Sequence, residues 1–355
     1  MRKCNLLSLA AAGLAAAISF GAHAEKKDHF NVCWTLYAGW MPWGYAGTAG
    51  IIDKWADKYG ISIDVVQLND YVESINQYTV GQFDGCSMTN MDALTIPAAG
   101  GVDSTALIVS DYSNGNDGLV IKGEGKTLAD IKGMPINLVE LSVSHYFLAR
   151  ALETAGMSER DVQVINTSDA DIVAAFSTSD VQAAATWNPM LSEIVAQPGS
   201  TQVFDSSKIP GEILDMMVVN TQTLQDNPDF GKALVGAWFE IMALMDAGTD
   251  ESTGALTEMA KASGTDLAGY QRQLSTTKLF YTPKEALAFA TDAALPETMS
   301  KVAHFSFDHG ILGEGASSPD AIGMSFANGV VIGDKANITL RFDPTYVQMA
   351  ADGKL

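Results

Sequence analysis

The chain has 355 residues, 47% hydrophobic and 18% charged, and carries a net charge of -21. That length and apolar content suffice for two domains with real cores. An acidic balance of this size repels nucleic acid and anionic lipid, so neither is expected as a partner.

The N-terminus carries Arg2 and Lys3, an apolar run over residues 6–20, and Ala22-His23-Ala24, the small-x-small pattern that signal peptidase cuts after. The run is shorter than the roughly 20 residues a membrane span needs. Residues 1–24 therefore read as a cleaved signal peptide, Glu25 as the mature N-terminus and the periplasm as the destination. Cys4 leaves with the leader, so no lipid anchor is expected. Cys33 and Cys86 remain, both in apolar runs that read as neighbouring buried strands. Two buried thiols is the expectation, with pairing in an oxidising compartment the alternative.

Residues 31–36 read as a buried strand, 37–44 as a loop with Trp40 and Trp43, and 45–59 as a helix. Residues 61–68 alternate apolar and polar side chains as a second strand; Asp70 then caps a helix with Tyr71, Ile75 and Tyr78 on one face, and 83–88 is a third strand. This alternation argues a parallel, doubly wound sheet whose crevice lies at the carboxyl ends of the strands, where the loops after residues 36, 68 and 88 converge. The pattern recurs with strand 135–139, helix 144–155, strand 162–165, helix 170–177 and strand 183–186. Gly81-Gln82-Phe83-Asp84 and Ser179-Asp180-Val181-Gln182 precede the late strands of the two units, a weak internal echo. A strand returns at 216–220, helices rich in Ala, Leu and Met run from 227 to about 305, and the Gly-rich final segment contains strand-like 337–342. The fold class expected is α/β with two lobes, each a mainly parallel sheet flanked by helices, and the ligand in the cleft between them. Residues 25–118 and 215–355 would form lobe 1 and residues 119–214 lobe 2, with the hinge near 117–120 and 214–218.

Four stretches in order resemble the nitrate, taurine and alkanesulfonate class of periplasmic binding proteins: the Gly39-Trp40 loop; Lys126-Thr127-Leu128-Ala129-Asp130-Ile131-Lys132-Gly133; Trp187-Asn188-Pro189; and Val218-Val219-Asn220 followed by Asn227-Pro228-Asp229. The chain departs from that class in carrying Ser179 and Gln182 before the Trp-x-Pro strand. The resemblance implies a type II periplasmic binding fold and a monomer that delivers a small solute to an ABC transporter permease. More narrowly, Trp40-Met41-Pro42-Trp43-Gly44, the stretch from Asp70 to Tyr78 and Met88-Thr89-Asn90-Met91-Asp92-Ala93 look like the branch encoded beside urea or guanidine carboxylase genes. That likeness implies a ligand in the urea and guanidinium class.

The residues point the same way. Between Trp34 and Gly118 the basic residues are Lys54 and Lys58, both inside a predicted helix away from the strand ends. Asp92 and Glu140 sit just beyond strand ends, where a carboxylate pairs with a guanidinium fork or else caps a helix. Trp40, Trp43 and Trp187 offer flat faces to a planar cation, or else pack at the lobe base. Asn90, Ser142, Ser144, His145 and Asn188 are the remaining polar candidates for ligand contact, His145 equally a cap or support. No metal-ligand spacing, nucleophile elbow, P-loop or dinucleotide fingerprint occurs, so neither a metal nor a cofactor is expected. The rival readings are binding of a sulfonate, nitrate, amine or pyrimidine, a sensor partner presenting ligand to a receptor, and an enzyme similar to the pyrimidine-forming proteins of thiamine synthesis.

Overall fold

The computed structural model describes residues 27–313 and 315–355; the leader, its cleavage site and Cys4 lie outside the described residues. Fourteen strands follow in chain order: β1 (His29–Trp34), β2 (Ser62–Gln67), β3 (Gly85–Thr89), β4 (Ser104–Ser113), β5 (Asp117–Lys122), β6 (Pro135–Leu138), β7 (Gln163–Asn166), β8 (Ala183–Trp187), β9 (Ser200–Asp205), β10 (Leu214–Asn220), β11 (Thr277–Leu279), β12 (Gly323–Ser325), β13 (Val331–Ile332) and β14 (Ile338–Phe342). They build two sheets, each flanked by helices. The first runs β13-β12-β14-β4-β10-β3-β1-β2, with β11 on β4, and the second runs β7-β6-β8-β5-β9.

Two of the parallel parts, β3-β1-β2 and β7-β6-β8, are the strands whose apolar runs are readable in the sequence, and β12-β14-β4 is a third. Both sheets are nonetheless mixed. β5, β9 and β10 pair antiparallel with their neighbours, β4 is antiparallel to β10 and β11 but parallel to β14, and these four strands carry the chain from one sheet to the other. β4, β5 and β9 escaped the sequence reading. β4 is a ten-residue strand buried along nearly its whole length, so it shows no alternation to mark it. The chain crosses between the sheets at residues 114–116 and 206–213, a few positions before each hinge segment expected from the sequence.

The predicted helix 45–59 is two helices, Met41–Thr48 and Ile51–Tyr59, separated by Gly50 at φ 74°. Pro42 suits the first turn of the earlier one, where its missing N–H costs nothing, and Gly50 accepts the left-handed backbone at the break. Asp70 caps the helix Tyr71–Thr79 by accepting from the Glu73 N–H at 2.9 Å, and Tyr71, Ile75 and Tyr78 are its buried face.

The expectation of two free thiols is corrected. Cys33 on β1 and Cys86 on β3 are register partners on adjacent parallel strands and form a disulfide. Reading both as buried neighbours placed them correctly, but it missed that they sit directly opposite one another. Among the described residues no helix is long and apolar enough to cross a membrane, and no group of three or more His, Cys, Asp or Glu is arranged to hold a metal ion.

Candidate ligand-binding site

Three neighbouring strands set one wall of the inter-lobe cleft. In the register of the first sheet Asp215, at the start of β10, lies opposite Thr89 at the end of β3 and opposite Asp111 on β4. Directly opposed residues on antiparallel strands share a face, so the three side chains form a row along the cleft edge. The other lobe contributes Asp117 on β5 and Trp187 on β8, themselves register partners.

Between the two walls is a narrow cavity lined by Tyr37, Trp40, Tyr71, Thr89, Asp117, Val143, Trp187, Ile213 and Asp215. Its aromatic members touch one another in series. Tyr37 meets Trp40 edge-on at 5.1 Å, Trp40 lies 5.9 Å from Tyr71, and Tyr71 meets Trp187 edge-on at 5.5 Å. No Lys, Arg or His is among the lining residues. Lys54, one of the two basic residues between Trp34 and Gly118, is engaged by Glu240 at 2.8 Å in an exposed pair.

The carboxyl groups are all buried: Asp111 is 0% exposed, and Asp117 and Asp215 are each 4% exposed. Tyr37 donates its hydroxyl proton to Asp111 at 2.8 Å, Ser110 donates to the other Asp111 oxygen at 2.8 Å, and Ser113 donates to Asp117. Burial pushes the Asp117 carboxyl up to about 7, helped by the Asp111 charge. Burial also raises both Asp111 and Asp215, and the Asp111 charge raises Asp215 further. The two buried carboxyls interact strongly, so ionising Asp111 holds the proton on Asp215.

Lobe-to-lobe hydrogen bonds close the cavity. The Ala38 N–H donates to the Asn188 carbonyl at 3.1 Å, and Trp187 Nε1 donates to the Leu36 carbonyl at 3.1 Å. Ser168 donates to Asp70 at 2.8 Å, and the Tyr71 N–H donates to Asp169 at 3.2 Å.

Of the residues singled out from the sequence, Trp40 and Trp187 line the cavity. Trp43 does not: it is 1% exposed and stacks on Trp238 at 4.7 Å, in the core beneath the loop. Glu140 is corrected as well. It is solvent-exposed, and its N–H is held by Asn166 beyond the end of β6, outside the cavity. Asp92 is 0% exposed and sits behind the wall, accepting the Tyr71 hydroxyl at 2.7 Å and the Thr89 hydroxyl at 2.8 Å. Asn90 ties β3 to the crossover by donating to the Glu212 carbonyl and accepting from the Leu214 N–H, both at 3.1 Å. Ser142 caps the helix Val143–Thr154, and Ser144 is buried on its first turn with no hydroxyl partner. Asn188 spans β8 and the next helix, accepting from Ser192, and its N–H is held by Asn116 at 3.0 Å.

His145 lies at a second contact between the lobes. Its Nδ1 accepts from the Leu141 N–H at 3.1 Å, and its Nε2 faces Glu159. The other Glu159 oxygen bonds Nε2 of His309, whose Nδ1 donates to the Phe305 carbonyl at 2.8 Å. Both His309 nitrogens thus donate, and the Glu159 contact raises its pKa. Burial would raise Glu159, but the two histidines outweigh it and hold that carboxyl down at about 2.

Tyr37, Tyr71, Thr89, Asp111, Asp117 and Asp215 escaped the sequence reading as site residues. One signal was present: Asp111 and Asp215 are acids inside otherwise apolar strands, which is costly unless the charge is used or shared.

The model of the NMT1-like family matches residues 35–262, which carry the whole cavity. The chain belongs to the NMT1-like family. It is 27% identical over 231 residues to a protein of Brucella abortus named as a binding protein, covering 63% of this chain and 70% of the relative. It is 28% identical over 145 residues to an aliphatic sulfonates-binding protein of Escherichia coli, covering 41% and 45% of the two chains. The alkanesulfonate-binding protein of Xanthomonas axonopodis pv. citri, solved bound to MOPS, has the same fold, with a TM-score of 0.67 at 17% identity over 82% of this NMT1-like chain and 96% of the other.

Proposed function

We propose that this solute-binding component of an ABC importer captures a small planar nitrogen cation in the periplasm, guanidinium first, and hands it to the membrane permease after its lobes close. The observation that carries the reading is the pair Asp117 and Asp215, one from each lobe, buried in an aromatic cavity that no basic residue lines. A sulfonate or nitrate, as in the names of several relatives, would meet carboxyl groups here and no cation to balance it. A guanidinium gives forked N–H donors to carboxylates and a flat face to indole, and at this depth each charge-assisted hydrogen bond is worth about 1.5–3 kcal/mol. The aromatic rings in mutual contact leave a narrow space that suits a ligand of few heavy atoms. Tyr71 and Trp187 supply edges and faces from opposite lobes, so the ligand completes the interface between them.

Urea is the second reading, and one observation favours it. Trp40 Nε1 is a buried donor on a cavity-lining residue with no acceptor, and the urea oxygen would supply one. A thermal-shift screen of guanidinium, methylguanidine, urea, taurine and nitrate tests the proposal. The largest stabilisation is expected from guanidinium. Stabilisation by taurine or nitrate alone would overturn it. Mass spectrometry of the ligand after incubation should return it unchanged, as binding without catalysis requires.

A further inference from the structure

The hydroxyl groups at and beside the cavity give their protons to buried carboxyls. Tyr37 gives its proton to Asp111, Ser113 to Asp117, and Tyr71 and Thr89 both to the same oxygen of Asp92. The Tyr71 oxygen also accepts the Thr89 N–H at 2.9 Å. That Asp92 oxygen takes a third donor, the Val143 N–H of the opposite lobe, at 3.4 Å. The second Asp92 oxygen is buried without a partner. A carboxylate kept fully out of water with half its acceptors idle is expensive, and an apolar residue at this position would pack at lower cost.

We infer that Asp92, which does not touch the cavity, is a positioning residue that determines what the cavity recognises. By binding both hydroxyl protons it presents Tyr71 and Thr89 to the ligand as acceptors only. An ionised carboxylate has no proton to offer, so neither hydroxyl can reverse its hydrogen bond. Burial raises Asp92 to about 6, with the Tyr71, Thr89 and Val143 bonds opposing the rise, which leaves it ionised at neutral pH. A ligand made only of N–H donors finds a match at both oxygens. A ligand that turns a carbonyl or sulfonate oxygen to this wall meets lone pair against lone pair. The Val143 bond makes the arrangement complete only when the lobes are closed, so the wall is set as the ligand is enclosed.

This inference rests on the reading of the cavity as a cation site and refines it to a preference for guanidinium over urea. The test is calorimetric titration of the mature chain with guanidinium and with urea in four forms: wild type, Asp92→Ala, Asp92→Asn and Tyr71→Phe. Asp92→Ala frees both hydroxyls to donate, and the guanidinium-over-urea preference should fall by roughly tenfold or more. Asp92→Asn keeps an amide oxygen to accept the same protons and should retain most of the preference. Tyr71→Phe removes one acceptor and should lower the preference by part of that amount, with Asp92→Ala adding less on that background than on wild type. A purely structural Asp92 would weaken both ligands alike, and an unchanged ratio in Asp92→Ala overturns the inference alone. Should Asp92→Ala fail to fold, the same ratio in Tyr71→Phe and Thr89→Val decides it, an unchanged value again overturning it. Wild-type protein that binds neither compound overturns the cation reading, and this inference with it.

Discussion

If Asp117 holds the ligand as a carboxylate, affinity must follow its ionisation. Burial and the neighbouring Asp111 push Asp117 up to about 7, while guanidinium keeps its charge throughout the range where proteins are stable. The sign follows: protons compete with the cation, so binding strengthens as pH rises through 7 and levels off above it. For one such group, ionised only about one part in thirty at pH 5.5 and nearly fully at pH 8, affinity should change about 30-fold across that interval. Asp117→Asn removes the charge and costs about 1.5–3 kcal/mol at pH 8, roughly 10- to 150-fold in Kd. At pH 5.5 the same substitution should cost almost nothing, because the wild-type group is already neutral. Isothermal titration calorimetry with guanidinium on both proteins from pH 5.5 to 8 measures the ratio of their affinities. Taking the ratio cancels every other titrating group the two proteins share. A ratio that does not change with pH would refute the assignment of Asp117 as the ligand's charge partner.

Asp215→Asn should stabilise the ligand-free protein while weakening ligand binding. Burial and Asp111 raise Asp215, so the fold holds a proton there that the unfolded chain releases at lower pH, and stability falls as pH rises. The gain in Tm given by the variant should therefore grow as pH rises from 5 to 8, as scanning calorimetry would show. Trp40→Ala and Trp187→Ala should each weaken guanidinium by roughly 1–3 kcal/mol with the fold still cooperative. Trp43→Ala should instead cost about 3–5 kcal/mol of stability, because its ring is core packing against Trp238. Glu140→Gln should leave the calorimetric Kd unchanged. His309→Gln should speed ligand release at pH 6. The raised His309 pKa makes its bond to Glu159 strongest below the ordinary histidine value and progressively lost above it, so stopped-flow release from wild type should approach the variant rate as pH rises.

How legible the fold and the site were differed for a physical reason. Strands such as β1 and β2 and the capped helix Tyr71–Thr79 announce themselves through local periodicity and capping, which act over a few residues. The cavity depends on register between strands far apart in the chain: Thr89, Asp111 and Asp215 become neighbours only through the antiparallel pairing of β10 with β3 and β4. Nothing near Asp215 in sequence signals that pairing. The acids chosen from the sequence stood in polar loops after strands, where carboxylates are common, and Glu140 turned out to be one of these. Asp92, chosen from the sequence, does back the cavity, but Asp111 and Asp215 sit inside buried strands and were not chosen. Trp40 is the N-cap before the helix that starts at Met41 and its ring lines the cavity, whereas Trp43 lies inside the first turn and its ring packs on Trp238. Read as a single loop, the stretch shows no helix boundary between the two rings.

The most direct test of the cation reading is a crystal structure of the mature protein grown with guanidinium at a concentration that saturates the calorimetric signal. Flat, three-pronged density is predicted inside the closed cavity, against the faces of Trp40 or Trp187, with nitrogens within about 3 Å of the Asp117 and Asp215 carboxyl oxygens. An empty cavity under those conditions, or an anion such as taurine or nitrate bound there in its place, would contradict it.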